Sequence, residues 1–230
     1  SNLMSIYDLL GIASPVLLVG KKLMHTIWME VKHWRVQVKP QFKAEFGTWA
    51  QDVVKLQGIK LDRWLGTEMG QEVQVHAFFD AAPSGGYGAV LYVRFKGQGG
   101  RGGWQVQFLV SKVRLVPMKM DSIPRAELCA AQLGTRLVQT MKKELEAVLK
   151  IKKIVLWSDN EVVLAWVAAE AHKYQVWVCN RVAEIQLALR ELEEQKAEFR
   201  YVNTKQNPAD LVTRGLTFSE FEIAQDFWFH

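Results

Sequence analysis

Cysteine is scarce: Cys129 and Cys179 are the only two in 230 residues. Neither has a histidine beside it, so the chain carries no zinc site of the Cys/His kind. Both fall in apolar, helix-patterned stretches and read as buried reduced thiols. Long apolar runs are missing too. The longest early one, Leu9 to Gly20, is broken by Pro15 and is too short to cross a bilayer. No secretory leader is visible, which points away from secretion. A phosphate-cradling loop is also lacking. The glycine-rich run Gly97 to Gly103 lies between two strand patterns rather than between a strand and a helix. It reads as a hairpin loop, with Arg101 placed to touch a phosphate.

What is present describes an ordinary globular protein. Hydrophobic residues make up 49% and charged residues 23%, enough for a core at this length. The formal charge of +5 suits a polyanionic partner but does not demand one. Ser1-Asn2 reads as a scar of tag removal, and the chain as a piece of something longer.

Residues 1–70 have a helical pattern. Val16, Val19, Leu23, Ile27 and Val31 recur at helical spacing, Pro40 interrupts, and Phe42, Phe46, Trp49 and Val53 resume it. Trp28, Trp34, Trp49 and Trp64 read as packing between helices. A boundary is expected near 66–70. From Glu72 the period becomes that of strands: Val73–Ala81, Tyr87–Phe95 and Trp104–Leu115, the first two joined by the turn residues Pro83, Ser84, Gly85 and Gly86. Pro124 opens a long helix capped by Asp121 or Ser122. A strand at 152–159, two helices, a strand at Phe199–Val202 and a short helix from Asn207 follow. Hairpin-linked strands are antiparallel, and strands reached through a helix are parallel additions. The expected fold is α/β: a mixed five-stranded sheet, three strands antiparallel and two parallel, flanked by helices and preceded by a helical subdomain.

Asp80, Glu127, Asp159 and Asp210 fall at strand ends or first helical turns. Most of the 24 acids must be solvated surface charges, and Glu127 or Asp210 alone fits an ordinary first-turn acid. Together they mark matching points of one topology. Side-by-side carboxylates repel unless protonated or bridged by cations. An all-oxygen donor set favours Mg²⁺ or Mn²⁺, and two such ions about 4 Å apart serve phosphodiester hydrolysis.

The strings FFDAAPSGGYGAVLY, SIPRAELCAAQLG, VLWSDNEVVLAWV, NRVAEIQ and NPADLVTRG resemble the ribonuclease H domain of BEL/Pao-type LTR retrotransposons. The N-terminal SIYDLLGIASPVLL is similar to the segment that joins reverse transcriptase to ribonuclease H in those polyproteins. The resemblance implies a ribonuclease H-like fold over 71–230 and a thumb- or connection-like segment over 1–70. It implies an endonuclease for the RNA strand of RNA–DNA hybrids, with two Mg²⁺ ions (Mn²⁺ able to substitute) on Asp80, Glu127, Asp159 and Asp210. It also implies a reverse transcriptase polymerase domain as partner, and a cytoplasmic retroelement particle or the nucleus as its place. Two departures stand out. The loop Tyr201 to Asn207 carries no histidine, which argues for slower turnover, and the chain has no polymerase Asp-Asp motif.

Substrate contacts are expected from Arg125, Lys205 and Arg214 to phosphates, and from Ser84, Ser158 and Asn160 to ribose hydroxyls. Lys142, Lys143, Lys150, Lys152 and Lys153 form a solvated basic face that also suits a DNA strand. Rival readings are a catalytically silent or domesticated binding module, an integrase- or exonuclease-like relative, and a nuclease active only with its polymerase.

Overall fold

The computed structural model describes residues 6–33, 35–61, 65–83, 85–97, 103–118, 120 and 122–230. Ser84, Arg101, Asp121, Trp34 and Trp64 lie outside the described residues. The elements are α1 (Ser14–Val31), α2 (Pro40–Lys55), β1 (Glu72–Ala81), β2 (Gly86–Lys96), β3 (Trp104–Leu115), α3 (Ile123–Leu145), β4 (Lys150–Ser158), α4 (Glu161–Ala168), α5 (Val176–Glu191), β5 (Glu198–Tyr201), α6 (Ala209–Arg214) and α7 (Phe218–Phe229).

The strands form one sheet in the order β3-β2-β1-β4-β5. β1 to β3 pair antiparallel, while β4 joins β1 and β5 joins β4 in parallel. The mixed five-stranded sheet is therefore as expected. Val73, Val75, Ala77 and Phe79 alternate into a core with Leu128, Ala131 and Val138 of α3 and Val182 and Ile185 of α5. That alternation is the period-2 signature of a strand that feeds one face to a core. β2 is buried continuously from Gly88 to Val93 because both of its faces are covered.

The second face has its own core. Val16 and Leu18 of α1 join Val90, Tyr92 and Val113 of the sheet, Val212 of α6, and Phe221 and Trp228 of α7. The Ser111 hydroxyl donates to the Gly11 carbonyl at 2.6 Å, and the Trp228 indole N–H donates to the Ile12 carbonyl at 3.0 Å. Trp49 of α2 caps α1, with its indole N–H on the Val16 carbonyl at 2.9 Å. A β-carbon on Gly20 would lie 2.4 Å from that ring, so the absent side chain permits the helix contact.

Some details depart from the sequence reading. α7 was not expected, and it closes the second core. Trp157, on the otherwise buried apolar run of β4, is half-buried and stacks on His76 and Phe78. Its face of β4 is the less covered one. Cys129 is buried, but Cys179 is only partly so, on the rim of α5. Ser122 occupies the N-cap of α3 in extended backbone without a side-chain capping bond. Among the described residues, no helix is long and apolar enough to cross a membrane.

Candidate active site

Four elements converge at one end of the sheet. β1 and β4 run parallel, with Phe79 opposite Ser158. The next residue along each chain, Asp80 and Asp159, therefore arrives at the same level. α3 crosses β1 closely because Gly134 has no side chain: a β-carbon there would meet the Phe79 ring at 2.0 Å. Glu127 lies seven residues earlier, two turns back on the same helical face, and that puts it over Asp80. Carboxylate oxygens of Asp80, Glu127 and Asp159 lie within 4.8 Å of one another.

Asp210 comes in on α6, which is pinned to β1 by Asn207. The Asn207 side chain donates to the Phe79 carbonyl at 2.9 Å and accepts from the Ala209 N–H at 3.1 Å. Asn207 is 1% exposed, so the bonds form away from competing water. Asp210 pairs with Arg214 at 2.6 Å and stands outside the tight triad. Its charge nonetheless adds to the negative field at Asp80, and it feels that of Asp159.

The electrostatics follow from burial and crowding. Burial pushes the Glu127 carboxyl up to about 9, helped by the charges of Asp80 and Asp159. Burial likewise pushes Asp80 up to about 6, with Asp159 and Asp210 raising it further and the Thr213 hydrogen bond opposing them. Burial also raises Asp210, against the pull of Arg214. Two buried oxygens, Glu127 Oε2 and Asp159 Oδ1, have no hydrogen-bond partner among the described residues. Unpaired buried anionic oxygens cost stability unless a cation meets them. An all-carboxylate set with unpaired oxygens fits a hard divalent ion, so this cluster can hold a metal.

Thr213 escaped the sequence reading. Its hydroxyl donates to Asp80 Oδ2, and its residue is fully buried. The signal was present in NPADLVTRG, where Thr213 follows Asp210 by three residues on one helix face. Asn207 sits in the same string.

The expected substrate residues are placed as follows. Arg125, half-buried two residues before Glu127, has its guanidinium 5.4 Å from the Trp177 ring centre. Ser158 is 1% exposed, and its hydroxyl accepts from the Asn160 N–H at 3.2 Å. Asn160 caps α4 through Oδ1, which accepts from Val162 and Val163. Lys205 is exposed in the turn before α6. Arg214 is largely exposed apart from its ion pair with Asp210.

The family profile described as Pao retrotransposon-like RNaseH-like domain matches residues 1–160. The chain belongs to this family. The Pao match takes in α1, α2 and the site residues Asp80, Glu127 and Asp159. A search of curated proteins found no match. Among solved structures, the Pao chain is similar in fold to ribonuclease H1 from the halophilic archaeon Halobacterium salinarum NRC-1. The two share 14% identity over 61% of this chain and 95% of that one, with a TM-score of 0.36. LC11 ribonuclease H1 in complex with RNA/DNA hybrid shares 13% identity over 62% and 94% of the two chains, TM-score 0.34. A foamy viral protease–reverse transcriptase in complex with RNA/DNA hybrid shares 10% identity over 84% of this chain and 27% of that one, TM-score 0.38. The Pao domain has a ribonuclease H-like fold with an acidic cluster at the expected end of its sheet.

The raised carboxyls predict a pH dependence for the metal-free protein. The ordinary values are 3.8 for Asp80 and 4.5 for Glu127, below the folded ones of about 6 and about 9. Folding therefore favours the protonated forms. Their contribution is fully present below the ordinary values and is lost as pH rises through the folded ones. Thermal unfolding in EDTA should show a melting temperature that falls between about pH 4 and about pH 9, with Mg²⁺ restoring stability most at the upper end. Identical pH profiles with and without Mg²⁺ would exclude a cation at these carboxylates.

Proposed function

We propose that this domain is an endonuclease that hydrolyses the RNA strand of RNA–DNA hybrids with two divalent cations, Mg²⁺ by preference and Mn²⁺ as a substitute. The observation that carries the reading is the convergence of Asp80, Glu127 and Asp159, with buried oxygens of Glu127 and Asp159 left unpaired. Family membership supports the same assignment. When bound, such ions activate a water for attack on phosphorus and take up charge on the leaving oxygen.

Each residue has a part in this. Asp80, Glu127 and Asp159 would hold the cations, the first two of them buried where water competes weakly. Asp210, partly neutralised by Arg214, would add its negative charge to the site from outside the triad. Thr213 fixes the rotamer of Asp80 and leaves its second oxygen for the metal. Arg125, Lys205 and Arg214 are assigned to phosphates of the hybrid. Asn160 is assigned to a ribose hydroxyl through its amide N–H₂, since its oxygen is used in the helix cap. Ser158 holds Asn160 in place from below, and Ser84 is assigned to the ribose from the β1–β2 turn. A polymerase domain is the natural partner, and a cytoplasmic retroelement particle or the nucleus the place of action.

The test is incubation with labelled RNA–DNA hybrid, duplex DNA and duplex RNA, with Mg²⁺ or EDTA. Only the RNA of the hybrid should be cut, and only with the metal. Hybrid binding without cutting under every metal condition would turn the reading toward a silent module. Thr213→Val should lower the cleavage rate about 10-fold, on the scale of losing a group that orients a metal ligand. An unchanged rate would remove Thr213 from the site.

A further inference from the structure

We propose that nucleic acid leaving the acidic site is carried along α1, its phosphates held by a basic strip that begins at Arg214 and Lys22 and ends at Lys32 and Lys43. The inference deepens the nuclease reading above and rests on it.

The charge of this protein is not spread evenly. Residues 21–43 hold six basic side chains (Lys21, Lys22, Lys32, Arg35, Lys39 and Lys43) and a single acid, Glu30. Their net of +5 equals that of the whole chain, so the remainder is balanced. Two of the six are spent locally. Lys21 is partly buried and feels the charge of the Asp8 carboxylate, and Lys39 is ion-paired with Glu30. Lys22, Lys32, Arg35 and Lys43 have no acidic partner among the described residues, and the last three are exposed. The negative end of the α1 dipole accounts for about one cation, at Lys32, and not for four.

The strip starts at the active site. The Lys22 ammonium donates to the Arg214 carbonyl at 3.3 Å, and the Arg214 guanidinium pairs with Asp210 at 2.6 Å. An ammonium has three donors, so Lys22 keeps two for a phosphate. A groove of about 290 Å³ opens beside it, lined by Lys22, His25 and Thr26 of α1 and by Gly85 and Pro117. Gly85 lies hard against Thr213: a β-carbon there would be 2.1 Å from the Thr213 carbonyl. The hydroxyl of that same threonine holds Asp80. One residue thus separates the groove from the carboxylates. From Lys22 to Lys32 the helix advances about 15 Å, several phosphate spacings along a duplex. A polyanion with regularly spaced charges matches this series of separated cations, and exposed lysines hold it without needing an apolar seat.

The test measures binding of a labelled RNA–DNA hybrid in EDTA over a range of salt concentrations. Lys32 has φ of +54°, so the variant is Lys32→Asn with Lys43→Gln, because asparagine tolerates that backbone. The control, Lys196→Asn with Lys173→Gln, removes the same charge, and Lys196 has φ of +48°. Each lost phosphate contact should flatten the salt dependence by about 0.9. The strip variant should therefore lose a slope of about 2 and bind about 10-fold more weakly at low salt, while the control keeps the wild-type slope. A strip variant with the wild-type slope would overturn the proposal. Cleavage of the hybrid together with an unchanged slope removes the strip and leaves the nuclease. Binding that weakens as expected, without cleavage by the wild type in Mg²⁺, leaves the strip and removes the nuclease.

Discussion

Asp80→Asn should abolish hybrid cleavage, with a loss of at least about 10³-fold, and at the same time raise the melting temperature of the metal-free protein. The two effects have one cause. Removing a group that only orients a ligand costs about 10- to 100-fold, and removing a ligand oxygen itself costs more. Without metal, however, the Asp80 carboxylate is a liability. Its value of about 6 against an ordinary 3.8 corresponds to about 3 kcal/mol of unfavourable ionisation near pH 8. An asparagine keeps the shape and still accepts from Thr213, so most of that cost disappears. A gain of about 1–2 kcal/mol would shift the melting temperature by about 2–8 °C in a protein this size. Calorimetry in EDTA beside a cleavage assay in Mg²⁺ reads both. A variant that is inactive and also less stable would mean that Asp80 serves folding rather than metal binding.

Deleting residues 1–70 should leave a chain that does not fold cooperatively. Val16 and Leu18 are fully buried, and each contributes about 1.5–3 kcal/mol. Their removal also uncovers Val90, Tyr92, Val113, Phe221 and Trp228. Further losses come from the bonds that Leu10, Gly11, Ile12 and Pro15 accept from Ser111, Trp228 and Leu216. The sum exceeds about 5 kcal/mol, while whole domains are stable by only about 5–15 kcal/mol. Circular dichroism and urea unfolding of residues 71–230 check this. A cooperative transition with the full-length midpoint would show that α1 is an ornament of the sheet rather than part of its core.

Strands and helices were legible where one face alone is buried. β1 reads as Val73, Val75, Ala77 and Phe79 inward, and α3 as an apolar face behind Pro124, because period-2 and period-3.6 patterns survive in the linear text. α7 was harder to see. Phe218, Phe221, Ile223, Phe227, Trp228 and Phe229 crowd twelve residues without a clean apolar stripe, so only its packing against β3 and α1 tells which of them are inside. Ser84 and residues 98–102 lie outside the described residues, and the sequence remains the account of them.

Residue order alone determined the strand sequence and the mixed pairing, and it singled out the four acids, of which Glu127 lies beyond the first turn of α3, since hydrophobic period, turn residues and crossover length are local properties. It also carried the family likeness. Only the tertiary structure decided which acids gather tightly. Asp80, Glu127 and Asp159 meet because Gly134 lets α3 touch Phe79 and the β1–β4 register aligns two strand ends, whereas Asp210 stands outside that triad, paired with Arg214. It decided as well that Thr213 steadies Asp80 and that the first helix lies on the far side of the sheet. Most of these contacts join positions far apart in the chain, from 55 residues for Phe79 and Gly134 to 133 for Asp80 and Thr213, and the free energy of a long-range contact depends on what the rest of the chain has already buried around it.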